Sequence, residues 1–481
     1  MVAPKQSILQ YLTNQGAEYA DIRLVDEKAQ TLAVQNGKVT SLTATQTKGF
    51  GIRTLLDGAW GFYGARGCLE AKGGIEAADQ ALAIAKAGAR VPKESPVRLT
   101  PVKAFDDTWT SPCKIDPFEV KLEDKINLLQ EAHRLIARNP LVKSTQGSME
   151  FYKERTEFLS TEGVSFSQTL IESGAGIAAV AVNGANAQTR SYPQSYGGNV
   201  LQAGYEAIGD MELLDHAEET ASQAADLTKA PSCPSEVADL ILDPSHLEIQ
   251  IHESCGHAFE LDRVQGAEKG YFGGSFMPLN GLGAYKYGSP QVNLTADATV
   301  PRALGSFKYD DEGIPGQKFH LVKNGIAVSY LASRETAPDI GLGQSNGTMR
   351  AEGWSQAPII RMTNINLEPG DWTLDEIIKN TKYGIYMKTP KSWSIDDRRW
   401  NFQMGAEVGW LIKNGSVEGI VKNPTYTGIT PRFWGSLDAV AGKDEWEVYG
   451  TTGCGKGEPT QNAHVGHGSS PARFRNIKVG V

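Results

Sequence analysis

Asn-Gly and Asp-Gly pairs set between runs of alternating apolar residues constrain this chain most, because such pairs close antiparallel hairpins with two-residue turns. They occur at Asn36-Gly37, Asp57-Gly58, Asn324-Gly325 and Asn414-Gly415. The first two organise a meander: Thr31 to Val34, Val39 to Thr43, Phe50 to Leu56 and Trp60 to Tyr63, after a strand at Ala20 to Val25. A helix over residues 5–16 precedes it, and Ile75 to Ala89 follows with helical spacing. The order then recurs. A helix over Phe118 to Arg138 leads to strand segments at Met149 to Phe151 and Glu157 to Ser160, a turn at Glu162-Gly163, then Ser165 to Glu172 and Ile177 to Val182. Helix then meander, twice, suggests an old duplication; two unrelated α+β segments would give the same pattern.

A third helical stretch, Tyr205 to Leu227, ends in Lys229 to Glu236 (KAPSCPSE), whose prolines and serines mark an inter-domain linker. A chain of 481 residues exceeds what one core usually organises. The expectation is therefore an α+β protein of two domains: residues 1–230 as an α/β domain of helices and antiparallel meanders, and residues 231–481 as a β-rich domain. In the second domain Ala238 to Leu242 reads as a buried strand, and Asp243-Pro244 as an N-cap with proline at the first helical position. The helix so begun carries His246 to Glu260, and a glycine-rich loop covers Gly266 to Gly288. A strand at Ile359 to Leu367, a capping box at Thr373 to Glu376 and a helix from about Pro431 to Val440 complete the pattern.

Charge narrows the function. With 47 Lys and Arg against 56 Asp and Glu the net charge is −9, which argues against phosphate-driven nucleic-acid binding. The basic stretch at Asp397-Arg398-Arg399 is cancelled by its acidic neighbours. No run approaches the ~20 apolar residues that cross a bilayer, and MVAPKQSILQYL lacks the basic-then-apolar order of a secretory signal. A cytoplasmic protein is expected, with no membrane partner. The five scattered cysteines do not form a disulfide framework.

The chemistry centres on His252-Glu253-Ser254-Cys255-Gly256-His257. Two imidazoles on one short segment suit a borderline-soft cation, and a carboxylate beside the first can take a proton from water, as in the zincin motif H-E-x-x-H. Here one more residue separates the histidines. Five steps at about 100° each leave the imidazoles about 140° apart on an ideal α-helix, too far round to share an ion. A π-bulge would realign them, so a distorted helix is expected between Cys255 and His257, with Gly256 the place for the backbone to yield. Cys255 in place of His257 would need no bulge, although Cys255 reads more simply as a core residue. Candidates for a third ligand are Glu260, Asp262, His464, His467 and Cys454, the last in a small-residue loop where Lys456 could lower the thiol pKa. The acidic runs Asp310-Asp311-Glu312 and Asp396-Asp397 invite a second metal but read more simply as solvated turn carboxylates or caps. Ser-His-Asp catalysis is not expected.

The string LDPSHLEIQIHESCGHAFELDR closely resembles the metal-motif region of the TldD/PmbA family of peptidases. Asp21-Ile22-Arg23-Leu24, Gly49 to Arg53, Gly58 to Phe62, Tyr309 to Gly313, Arg361 to Asn364, Trp393 to Asp397 and Gly453 to Lys456 extend the match nearly end to end. The resemblance is to the TldD-like branch, because PmbA-like members typically lack the His-Glu motif. It implies an α/β N-terminal and a β-rich C-terminal domain. It also implies one zinc ion per active subunit, held by His252, His257 and Cys454, with Glu253 as general base. Unfolded peptides are the implied substrates, cut in a chamber formed with a PmbA-like subunit or a second copy of the chain. His464 and His467, after the cysteine loop, are candidates to touch the metal ligands or the substrate, or read as exposed loop histidines. A non-catalytic regulator on a peptidase scaffold and a zinc amidohydrolase of small molecules are the alternatives.

Overall fold

A computed structural model describes residues 4–92 and 96–481. The first half is organised on one eight-stranded sheet. Its strands are β1 (Tyr19–Gln35), β2 (Lys38–Leu56), β3 (Ala59–Arg66), β4 (Phe105–Thr110), β5 (Val142–Ser160), β6 (Val164–Asn183), β7 (Asn186–Tyr192) and β8 (Asn199–Leu201). The order is β3-β2-β1-β5-β6-β4, with β7 and β8 also paired to β6. All four expected hairpin turns form, and in each pair both residues have positive φ, as the primed turn requires. The two meanders meet antiparallel at β1 and β5, each repeating the order of the other.

The strands are longer than the sequence suggests. Segments read as separate, Ala20 to Val25 and Thr31 to Val34, are one continuous strand. Residues 26–30 (DEKAQ) are weak strand formers, yet they pair with β2 on one side and β5 on the other, and two ladders override local preference. Helices cover one face. Pro4–Asn14 and Ala71–Gly88 pack on the first meander around Leu12, Ile22, Ile52 and Ala78. Leu122–Ile136 packs on the second with Leu129, Met149 and Ile177. The helix expected over Tyr205 to Leu227 is broken into Glu206–Asp210 and Ala217–Leu227 by a turn in which Glu212 takes φ 49°.

The second half holds a seven-stranded sheet built around β9 (Glu236–Leu242), which lies between Tyr383–Ile395 (parallel) and Ala472–Val479 (antiparallel). The Lys229 to Glu236 stretch is pinned, not loose, through Cys233 N donating to Lys422 O at 3.0 Å. Two other expectations fail for local reasons. Ile359 to Leu367 is two short strands, Ile359–Ile360 and Ile365–Leu367, because the backbone between them leaves the ladder. Pro431 to Val440 is a short helix, Thr430–Gly435, followed by a strand, Leu437–Val440, that pairs with Ala472–Val479. The capping box at Thr373 and Glu376 is present. Among the described residues no helix is long and apolar enough to cross a membrane.

Directly after β9, Asp243 caps the next helix by accepting from Ser245 N at 3.1 Å, with Pro244 at the first helical position. This helix, Pro244–Ile251, runs through the middle of the largest hydrophobic core, and every residue from Pro244 to Phe259 is buried. A segment enclosed on all sides has its side chains held by packing, which suits precise placement of chemical groups.

Candidate metal centre

The α-helix gives way at the motif itself. Residues His252–Gly256 form a π-turn and His257–Phe259 a 3₁₀ turn, with the His257 amide donating to His252 O, five residues back. The distortion begins earlier than the Cys255–His257 step that spacing indicates. Gly256 also serves differently from expectation. Its φ of −59° suits any residue, but an added Cβ would lie 2.0 Å from the Met362 sulfur, so the site requires absence of bulk. The imidazole centroids of His252 and His257 stand 4.9 Å apart with perpendicular planes. Cys255 points away into the core. It receives the Tyr287 hydroxyl at 3.2 Å, and burial pushes its thiol up to about 12.

Cys454 arrives from the hairpin of Glu447–Lys456 and Gln461–Ser469. Thr451 pairs with Val465 and Cys454 with Ala463, so one extra residue is inserted between them, a bulge that re-aims the side chain. Its sulfur lies 3.7 Å from His257 Nε2. Together the three residues bring one nitrogen each and the sulfur within 4.8 Å of one another. Burial alone would raise the Cys454 thiol pKa, yet the Arg361 guanidinium, His252 and His257 hold it well below the usual range. Arg361 is 1% exposed and donates from Nη2 to the sulfur at 3.0 Å, and also to the carbonyls of Cys454 and Gln461. Among the described residues it pairs with no carboxylate, so the sulfur is its anionic neighbour. Lys456, expected to serve this purpose, instead binds Asp262 at 2.7 and 2.8 Å and the Ile360 carbonyl at 2.7 Å.

Each imidazole is oriented through its other nitrogen. His257 Nδ1 meets Glu260 Oε2 at 2.9 Å, and Arg263 Nε donates to the same oxygen at 3.2 Å. Glu260 and Asp262 therefore support the site from outside it. His252 Nδ1 lies 2.9 Å from His467 Nε2, while His467 Nδ1 lies 3.3 Å from the Ile365 carbonyl. A carbonyl only accepts, so His467 Nδ1 carries the proton, His467 Nε2 accepts, and His252 Nδ1 donates. Both histidines thus keep Nε2 for the shared centre. Glu248, His252 and His467 form a second group of atoms within 4.8 Å, but the 2.9 Å nitrogen contact makes this a hydrogen-bonded chain. Glu248 is held in it by Gln194 Nε2 at 3.1 Å and the Thr451 hydroxyl. Burial opposes charge on His252, but the Cys454 sulfur, Glu253 and Glu248 outweigh it and raise its pKa to about 9.

The tail histidines are not loop residues. His467 is 1% exposed within a strand, and its replacement by alanine is expected to weaken metal affinity about 10- to 100-fold, as loss of an outer-shell partner does. Competition against a chelator measures this, with thermal unfolding as the check on folding. An affinity equal to wild type would remove the orienting role. His464 lies elsewhere, with Nδ1 2.6 Å from Glu172 Oε2 and its ring edge-on to Tyr152. The acidic runs differ: Asp396 is a turn carboxylate that accepts from the amides of Arg398, Trp400 and Asn401, whereas Asp310 and Glu312 are buried and not solvated, Asp310 accepting from the amides of Glu312, Ile314 and Met349 and Glu312 pairing with Arg53 at 3.3 Å.

His252, Glu253, His257 and Cys454 line one cavity of about 750 Å³. Its walls come from both halves of the chain, with Glu150, Tyr196 and Val200 facing Trp393 and Arg399. Glu253 Oε2 accepts from Arg399 Nη1 at 3.1 Å. The roles of Arg361 and Arg399 are invisible in sequence. Arg361 and its neighbours were recognisable only as a matching string, and Arg399 sits in a stretch whose charges cancel on paper.

The site fits wider comparisons. Descriptions of the PmbA/TldA metallopeptidase match domain 1 at residues 20–85, the central domain at 115–230 and the C-terminal domain at 235–480. A metalloprotease of Methanocaldococcus jannaschii is 30% identical, covering 95% of this chain and 96% of that protein. A zinc metalloprotease TldD homolog of Saccharolobus solfataricus is 24% identical over 50% of this chain and 51% of its own. In fold, TldE from Thermococcus kodakarensis superposes with a TM-score of 0.70 at 17% identity, covering all of both chains. With the three descriptions together spanning most of its length, the chain belongs to the PmbA/TldD metallopeptidase family.

Proposed function

We propose that this protein is a zinc-dependent peptidase that hydrolyses unfolded peptides, with His252, His257 and Cys454 as metal ligands and Glu253 as general base. The observation that carries the reading is the meeting of two imidazole nitrogens and one distant sulfur beside a carboxylate, at the wall of a peptide-sized cavity. The donor set fits zinc. Both Nε2 atoms face the sulfur, whose pKa is held well below the thiol range, and three protein donors leave a position open, as catalytic zinc sites do. A bound zinc ion would polarise the peptide carbonyl and acidify water. Glu253 then takes the proton of the attacking water and delivers it to the leaving amine. Arg361 draws charge from the sulfur and so moderates its donation to the metal. The names of the relatives, metalloprotease and zinc metalloprotease, support the same reading.

On a division into residues 1–230 and 231–481, the cavity would lie between the two domains, since Glu150, Tyr196 and Val200 come from one and Trp393 and Arg399 from the other. Its walls, drawn from both, suit an extended chain better than a folded one. The likeness to TldE supports a working unit with a PmbA-like subunit or a second copy of this chain, and five unpaired cysteines suit the cytoplasm. The test is metal removal. Purified protein is expected to carry one zinc ion per chain and to cut an unstructured peptide while sparing a folded protein of the same sequence. Chelation is expected to abolish cutting, and added zinc to restore it. Hydrolysis that persists after complete removal of metal would overturn the reading.

A further inference from the structure

The guanidinium of Arg399 is in the cavity yet is largely unused. Its side chain is 12% exposed, and among the described residues one of its five N–H groups, on Nη1, has an acceptor, Glu253 Oε2. Nε is buried with no hydrogen-bond partner among the described residues. An ion pair serving only to fix Glu253 would engage the arginine fork at two points, as Arg53 does with Asp21 through Nε and Nη2. It would also oppose the proton that Glu253 must accept. The arrangement therefore implies a second use for the charge.

The backbone points the same way. Arg399 has φ 63°, in the left-handed region that non-glycine residues avoid. A dense set of bonds holds it there. The Asp396 carboxylate accepts from three amides and the Asn401 side chain, Arg399 N donates to Asp396 O at 2.9 Å, and the Thr430 hydroxyl donates to Arg399 O at 2.7 Å. Strained residues over-determined in this way cluster at active sites.

We propose that the Arg399 guanidinium donates to the carbonyl oxygen of the bond being cut and stabilises the negative charge that collects on it. The proposal rests on the peptidase reading. Water gives one proton to Glu253 as its oxygen bonds to the carbonyl carbon, and the C=O π pair moves onto the carbonyl oxygen, where an N–H of Arg399 meets it. The C=O bond re-forms as the C–N bond breaks. The C–N electron pair goes to nitrogen, which takes the proton from Glu253. Donors aimed at developing charge act mainly on the transition state, so the rate constant should suffer more than substrate binding.

The test uses zinc-loaded full-length protein with Arg399→Met and Arg399→Lys. For Arg399→Met the expected loss in kcat is about 100- to 1000-fold, with KM within a few-fold of wild type and zinc content unchanged. Arg399→Lys, charged but without the fork, should fall between and guards against a folding failure. Calorimetry supplies a readout other than turnover. A phosphinic peptide, tetrahedral and anionic, should lose affinity by a factor similar to kcat, while a flat, uncleavable peptide of the same sequence should bind nearly as before. Equal loss for both ligands, or a near-wild-type kcat in Arg399→Met, overturns the proposal. So does a defect confined to substrates with a free C-terminal carboxylate and absent from amidated ones, since Arg399 would then read the terminus. If wild-type protein is active and zinc-dependent while Arg399→Met matches it, this inference alone fails. If wild type cuts no peptide, the function reading falls with it.

Discussion

Glu253→Gln is expected to bind zinc as the wild type does and to lose hydrolysis by about 100- to 10,000-fold, the span over which general bases act. Glutamine has the shape of glutamate, and its amide oxygen can still accept from Arg399 Nη1, which lies 3.1 Å from the present carboxylate. The group is buried in the cavity wall and is not one of the three converging donors, so metal affinity and fold have no reason to change. What the amide cannot do is hold a proton between attack and departure of the amine. Metal analysis, thermal unfolding and kcat on an unstructured peptide separate these properties. A variant with intact zinc and a near-wild-type kcat would show that the proton goes elsewhere, with Glu248, five residues earlier and also buried, the next group to examine.

Local chemistry made part of this molecule readable in advance, and distance in sequence hid the rest. Asn36-Gly37 and its three counterparts specify their turns through φ values that few other pairs tolerate, and all four turns form. Asp243-Pro244 likewise starts its helix by capping alone. Counting residues between His252 and His257 was enough to require a departure from α-helical geometry, and the π-turn supplies it. By contrast, residues 26–30 join a strand because of partners more than 100 residues away in β5. Arg361 reaches the sulfur of Cys454 across 93 positions, His467 reaches His252 across 215, and Arg399 reaches Glu253 across 146. Periodicity carries no signal for such pairs. The tail histidines show the same limit: nothing local announces that Gln461–Ser469 folds back as a strand and buries His467 beneath the motif.

Cys454→Ala is expected to produce two separable losses, because the sulfur meets both motif histidines and the buried guanidinium of Arg361. Metal affinity should fall by more than the roughly 10- to 100-fold that loss of an outer partner costs, since a donor itself is gone. Stability without metal should also drop, by about 3–5 kcal/mol if Arg361 is left as an unpaired charge in the core. A second substitution distinguishes the effects. Arg361→Met in the Cys454→Ala background removes the stranded charge and should recover most of the stability without recovering metal binding. Thermal unfolding with and without zinc reads both quantities, because a ligand that binds only the folded protein raises the transition by an amount set by its affinity. Zinc should raise Tm in the wild type and leave it unchanged in the single and double variants at the same concentration. A Cys454→Ala protein still stabilised by zinc as strongly as wild type would mean that the sulfur neutralises Arg361 and is not a ligand, and the third donor would then have to be sought among the other groups lining the cavity.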